Sequence, residues 1–397
     1  MRVRVGAALL VILAAAGAFN YLRPIPAVAA THLLKPTEVV EGTPPALPWP
    51  ARGSAAVGVS GLGFIASSGN ETAIPAASVT KVMTALVILD DKPLQKDQPG
   101  PSLTLGDADV VSYESDLHDQ QSVVKVEVGE QLSELQLLQG MLVPSANNYA
   151  ETVARWDAGS IDGFVAKMNA RAAALHLTHT KFADVSGASA GSVSTPTDLM
   201  TLGMVAMQNP VLAQVVTLGQ VSLPVAGVVY NVNAALGRDG IFGIKTGSGL
   251  NTGANFLFAA NATVDGHTIV VYGCVMGQPS LDVAFSSAQT LIRAMSAALH
   301  VRRVLSRHQS VATYTTPWGE QTDLVSADDV DLAEWPGMVL RHRLDAKQIV
   351  IDKPLPSSTV EGTEHIVLGD YVLDVPLVTA DPLYPPGRFW RLTRISF

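Results

Sequence analysis

Ala77-Ser78-Val79-Thr80-Lys81-Val82-Met83-Thr84-Ala85 opens a helical run in which Val79, Val82, Met83, Leu86 and Val87 recur at the spacing of one apolar face, with Ser78 at the N-cap position. The interval of three between Ser78 and Lys81 sets a hydroxyl and an amine on one side of that helix, within hydrogen-bonding reach. An amine so placed can take the proton of a serine if its pKa falls well below the ordinary ~10.4 of lysine, which burial and a second nearby cation would bring about. The unpaired N–H groups and dipole of a helix start add positive potential where an oxyanion forms. Alone, S-x-x-K is common by chance as a cap followed by a surface lysine.

Two further stretches change its weight. Ser145-Ala146-Asn147 follows Pro144, which stops an amphipathic helix over 131–142, and precedes a helix over Ala146–Arg155, so polar side chains sit on a short turn between helices. Lys245-Thr246-Gly247 ends a strand-like run from Ile241. There an ammonium and a hydroxyl can hold a carboxylate, and Gly247 admits close approach of a substrate backbone. S-x-x-K, then S-x-N, then K-T-G, on helix, loop and strand in that order, is the joint signature of penicillin-binding proteins and serine β-lactamases.

More closely, the chain resembles the low-molecular-mass D-alanyl-D-alanine carboxypeptidases of peptidase family S11. The resemblance rests on Ala77–Ala85, Met141–Asn148, Met168-Asn169, Thr180–Phe182, Tyr230-Asn231 and Gly243–Gly247. It covers about residues 55–300, and the tail only by β character such as Asp374-Val375-Pro376-Leu377. It implies an α/β (α+β) fold: a β-lactamase/transpeptidase-like domain with a five-stranded antiparallel sheet between helices, then a small C-terminal all-β domain. It also implies Ser78 as nucleophile, Lys81 as base, and Ser145 with Asn147 relaying the proton and holding the peptide. Lys245 and Thr246 would bind the terminal carboxylate beside Gly247, and the N–H groups of Ser78 and Ser248 would form the oxyanion hole. The substrate would be a peptidoglycan stem peptide ending in D-Ala-D-Ala, with β-lactams as inhibitors and no cofactor.

Two departures stand out. Ser248 is small where relatives carry a bulky residue, which opens that lip of the site. No arginine lies between Val275 and Ile292, leaving Arg238 or Arg293 as the remaining candidates to read a carboxylate. A class A β-lactamase would need a glutamate after S-x-N to activate water, and none occurs between Glu151 and Glu320; Asp184 lies in roughly the expected region but is one carbon shorter. Gly187-Ala188-Ser189-Ala190-Gly191 imitates a nucleophile elbow but lacks the strand and helix around it, so it reads as a glycine-rich loop. Ile244 before Lys245 argues against a phosphate loop. An inert wall-binding scaffold of the same fold is opposed by the intact Ser78, Lys81, Ser145, Asn147 and Lys245.

Composition bounds the rest. A net charge of −9 over 397 residues, without a basic cluster, excludes a nucleic-acid surface. The single cysteine, Cys274, permits no intrachain disulfide, and the histidines show no metal spacing, His176 and His179 being read as one helix face without a third ligand. Arg2 and Arg4 precede an apolar run from Val5 to Phe19 and an Ala27-Val28-Ala29 cleavage pattern, predicting export by a cleaved signal or a retained anchor over 1–30. The protein would then be extracytoplasmic, with any membrane contact through this segment. Residues 31–55, rich in proline, read as a tether; 56–305 as the enzyme domain, closing on a helix from Leu281 to about Val304; and 311–397 as the β domain, ending in a strand over 389–397.

Overall fold

The computed structural model describes residues 2–69, 71–249 and 252–394. In chain order the helices are α1 (Arg2–Leu22), α2 (Lys81–Asp91), α3 (Asp107–His118), α4 (Glu134–Leu142), α5 (Asn147–Ala158), α6 (Ile161–Ala174), α7 (Pro196–Ala206), α8 (Pro210–Val216), α9 (Leu281–Ala298) and α10 (Arg388–Thr393). The principal strands are β1 (Ala30–His32), β2 (Thr37–Val39), β3 (Ser54–Val59), β4 (Gly63–Ser67), β5 (Ile241–Gly249), β6 (Gly253–Val264), β7 (His267–Gln278), β8 (Ser310–Thr315), β9 (Gln321–Ser326), β10 (Val339–Ala346), β11 (Val360–Leu368) and β12 (Tyr371–Thr379). Two compact units result, one over 44–300 and one joining 1–43 to 301–397.

In the first unit five antiparallel strands run in the order β5-β6-β7-β3-β4. Neighbouring residues on a strand point to opposite faces. Phe256 of β6 meets Phe285 of α9 edge-on, with ring centroids 4.9 Å apart, whereas Leu257 faces Gly203 of α7. Helices therefore cover both faces, as the family resemblance implied. α2 lies on the α7 side, buried along its whole length from Lys81 to Leu89.

Several boundaries differ from the sequence reading. Ser78 caps nothing: it sits in a 3₁₀ turn over Ala77–Thr80, entered through Ala77 at φ 49°, and α2 proper begins at Lys81. α4 starts at Glu134 rather than 131, because Ser133 and Gln136 close a capping box there and Gln131–Ser133 pairs as a short strand with Ser102–Thr104. α9 stops at Ala298, since the His300–Leu305 run with its β-branched valines forms a strand instead.

The second unit corrects the tether. Residues 30–32 and 37–39 pair antiparallel with β8 and β10 and form the two edges of a seven-stranded sheet ordered β1-β8-β9-β12-β11-β10-β2. Four residues separate these edges in sequence, a reach of at most about 18 Å, while seven flat strands would span about 29 Å. The sheet therefore rolls. Across the roll the buried Glu364 carboxylate of β11 lies 3.1 Å from both His32 Nε2 of β1 and His342 Nδ1 of β10. The irregular proline-rich stretch shrinks to about residues 43–53. At the other end 388–393 is helical, not extended: it follows Pro385-Pro386-Gly387 and packs on α1, and residues 395–397 lie outside the described residues. Among the described residues no single helix is long and apolar enough to cross a membrane; the apolar part of α1, Leu10–Leu22, is shorter.

Candidate active site

Lys81 is the centre of the site. It is fully buried, and its Nζ lies 2.9 Å from Ser78 Oγ, 2.6 Å from Asn147 Oδ1 and 2.8 Å from the Ser186 carbonyl. Burial pulls its pKa well below the lysine range; the Lys245 charge pushes the same way, against the weaker pull of Asp184 and Asp116. A lysine so surrounded can rest as a neutral amine facing a hydroxyl.

Each partner is delivered by a constrained backbone. Ser78 follows Ala77 and Asn147 follows Ser145 by two, and both Ala77 (φ 49°) and Ser145 (φ 70°) sit in the left-handed region that residues with a side chain avoid. Asn147 opens α5; its N–H donates to Ser122 O at 2.7 Å, and its amide donates to Gln121 Oε1 at 3.4 Å. Ser145 is buried, but among the described residues its hydroxyl makes no hydrogen bond to Ser78 or Lys81.

Ser186 is presented by a loop that Asp184 organises. The Asp184 Oδ2 accepts from Ser186 Oγ at 2.9 Å and from the N–H groups of Gly187 and Ala188, each at 2.8 Å, while Oδ1 accepts from Ser192. Gly187 (φ 83°) passes so close to the nucleophile turn that a Cβ would stand 1.8 Å from Ala77 O. The 187–191 stretch is thus a loop wall of the site.

The opposite wall is β5, an edge strand. Lys245 pairs with Leu257 and shares its face, toward α2 and α7. It is buried, donates to Thr246 O at 3.0 Å, and burial brings its pKa down to about 7. A Cβ on Gly247 would lie 3.0 Å from Ser78 N and 2.9 Å from Ala76 O, so glycine keeps the Ser78 amide open. Between the walls lies a cleft of ≈ 660 Å³, lined among others by Ser78, Asp119, Gln121, Asn147, Gly187 and Ser248.

Of the residues expected from sequence, Ser78, Asn147 and Ser248 line this cleft. Lys81 joins it through its hydrogen bonds to Ser78 and Asn147, and Gly247 through its approach to the Ser78 amide, while Ser145, Lys245 and Thr246 are buried and are not among its lining residues. Arg238 and Arg293 do not line it; Arg293 faces Asp239 at 3.5 Å. His176 and His179 lie in the turn after α6, not on a helix. Missed from sequence were the Ser186 carbonyl, the 119–122 loop and Asp116. Burial first, then the Glu151 charge, pushes the Asp116 carboxyl up to about 6. A carbonyl and an exposed loop carry no residue-type signature, and Asp116 belongs to a helix with no buried residue.

Residues 62–280 match the family model described as D-alanyl-D-alanine carboxypeptidase, peptidase S11. A D-alanyl-D-alanine endopeptidase of Pseudomonas aeruginosa is 36% identical over 165 residues, 41% of this chain and 50% of that protein. The carboxypeptidase DacB2 of Mycobacterium tuberculosis is 33% identical over 221 residues, 53% of this chain and 71% of the relative. The crystal structure of the Streptomyces K15 DD-transpeptidase superposes with a TM-score of 0.55 at 25% identity, covering 64% of this chain and all of that one.

Proposed function

The chain belongs to the D-alanyl-D-alanine carboxypeptidases of peptidase family S11, serine hydrolases of penicillin-binding fold, and from that membership we propose how its cleft removes the terminal D-alanine of a peptidoglycan stem peptide. The observation that carries the reading is the 2.9 Å contact between Ser78 Oγ and a buried Lys81 amine held by two further acceptors.

Neutral Lys81 takes the Ser78 proton as Oγ attacks the carbonyl of the penultimate D-alanine. The tetrahedral oxyanion is held by the N–H groups of Ser78 and Ser248. The proton passes through Ser145 to the leaving D-alanine nitrogen, while Asn147 holds the peptide and Lys245 and Thr246 hold the terminal carboxylate. Water then attacks the ester; Lys81 accepts its proton, Ser78 is reprotonated, and the shortened peptide leaves. β-Lactams enter by the same attack: the ring amide bond breaks, its nitrogen takes the proton but stays tethered, and the opened antibiotic is left esterified to Ser78.

Asp184 supports this over the β-lactamase reading, because its carboxylate is engaged in organising its own loop, Oδ2 accepting from Ser186, Gly187 and Ala188 and Oδ1 from Ser192. The apolar start of the chain supports an extracytoplasmic location, where the wall substrate lies. The test is release of D-alanine from diacyl-Lys-D-Ala-D-Ala by the protein and by Ser78→Ala, with and without penicillin. Release lost in the variant and under penicillin upholds the reading. Acylation by penicillin without peptide turnover would leave a penicillin-binding scaffold, and release that survives Ser78→Ala would remove Ser78 from the mechanism.

A further inference from the structure

The two ends of the chain meet. The last carbonyls of α1 have no partner within the helix, and arginines about 370 residues away take them. Arg394 donates to Asn20 O through Nε at 3.0 Å and Nη2 at 2.6 Å, to Pro24 O through Nη1 at 2.9 Å, and to Arg23 O. Arg391 Nη2 donates to Tyr21 O at 2.9 Å, with its guanidinium 4.4 Å over the Tyr21 ring. Asn20 answers through Nδ2 to Leu392 O at 3.3 Å, and a Cβ on Gly17 would touch the Leu392 side chain at 3.6 Å.

A six-residue helix does not stand alone in water, and α10 buries none of its own residues. What orders it is α1 on one side and, on the other, Trp390, whose indole donates to Pro317 O and stacks edge-on to Trp318 at 5.3 Å. Cleavage at Ala27-Val28-Ala29 would discard α1 and leave both guanidinium groups without these acceptors. The cleavage pattern is itself enclosed in the fold: Val28 is buried and exchanges two backbone hydrogen bonds with Ile349, at 2.8 and 3.0 Å.

We infer that α1 stays in the mature protein as a permanent anchor, clasped by α10, and that the clasp rests on a lipid bilayer. Leu10, Val11, Ile12 and Leu13 are consecutive in α1 and all more than 60% exposed, as are Phe19 and Leu22, so the helix is apolar around its circumference rather than along one stripe. At its end gather Arg23, Arg388, Arg391 and Arg394 with exposed Phe389 and half-buried Trp390, in a chain whose net charge is −9. Cations and aromatic rings at the end of an apolar helix match the headgroup level of an anionic membrane.

The test uses the full chain made in a bacterium with an intact export apparatus. Its N-terminus is read by intact mass, its partition by carbonate extraction of membranes, and the clasp by an oxidative cross-link between Gly17→Cys and Leu392→Cys. Penicillin labelling of Ser78 reports in every sample that the enzyme unit is folded. The expected result is a chain that retains α1, sediments with carbonate-washed membranes, and cross-links reducibly. Adding Arg391→Glu with Arg394→Glu should cut the cross-link about tenfold with labelling unchanged. A mature chain beginning at Ala30 overturns retention, a soluble chain with α1 intact overturns the lipid contact, and failure to cross-link with the native arginines overturns the clasp.

Discussion

Burial depresses the pKa of both Lys81 and Lys245, and the Lys245 charge lowers Lys81 further, which leaves Lys81 as the base. Replacing Lys245 by Ala removes that repulsion, so the Lys81 pKa rises and the acid limb of penicillin acylation moves to higher pH, besides any loss in rate; a limb that stays in place would show that burial alone sets Lys81. A lysine with a depressed folded pKa makes the fold bind fewer protons than the unfolded chain, so between about pH 7 and the unfolded value near 10.4 Lys245 contributes stability that grows with pH and is lost as pH falls. Gly187 acts through sterics instead. Gly187→Ala drives a methyl into the Ala77 carbonyl, and the nucleophile turn must shift; acylation should fall by about 10²-fold with the secondary structure kept, as measured by fluorescent penicillin and circular dichroism.

α4 carries a conflict of its own. Glu134 lies in its first turn, where an anion suits the helix dipole, yet it is buried, with Oε1 unpartnered among the described residues, and burial pushes its pKa up to about 7. A carboxyl raised in this way favours folding below its unfolded value near 4.3 and loses that contribution as pH rises through 7. Glu134→Gln should therefore raise Tm by about 2–4 °C at pH 8 and leave it nearly unchanged at about pH 4; an equal effect at both would point to packing. Elements whose reasons are apolar were legible from sequence: α5 and α9 follow their spacing, and the three motifs were contiguous words. α3 was not, because it is held by polar contacts, Arg155 to Asp109 at 2.9 Å and Ser112 to Glu151 at 2.5 Å, that leave no stripe. Nor were β1 and β2, three residues each beside proline, whose identity as strands comes wholly from partners about 300 residues away.

At the scale of the molecule, the enzyme unit is continuous in sequence and the rolled sheet is not. Removing residues 1–43 strips both edges from the seven-stranded sheet, exposing β8 and β10 to pairing with other chains. Such a truncation should aggregate or be trimmed by protease within 301–397, while 44–300 still labels with penicillin; a monodisperse, protease-resistant product would mean the arm is dispensable. The same topology sets a clock on biogenesis. The arm is made first, yet His32 waits for Ala312 and Thr37 for Arg341, an interval of tens of seconds at about 5–20 residues per second of synthesis. The rolled sheet can close only after nearly the whole polypeptide has been delivered, so its closure certifies completeness, and any chain released early carries an unpaired arm as the mark by which quality control can find it.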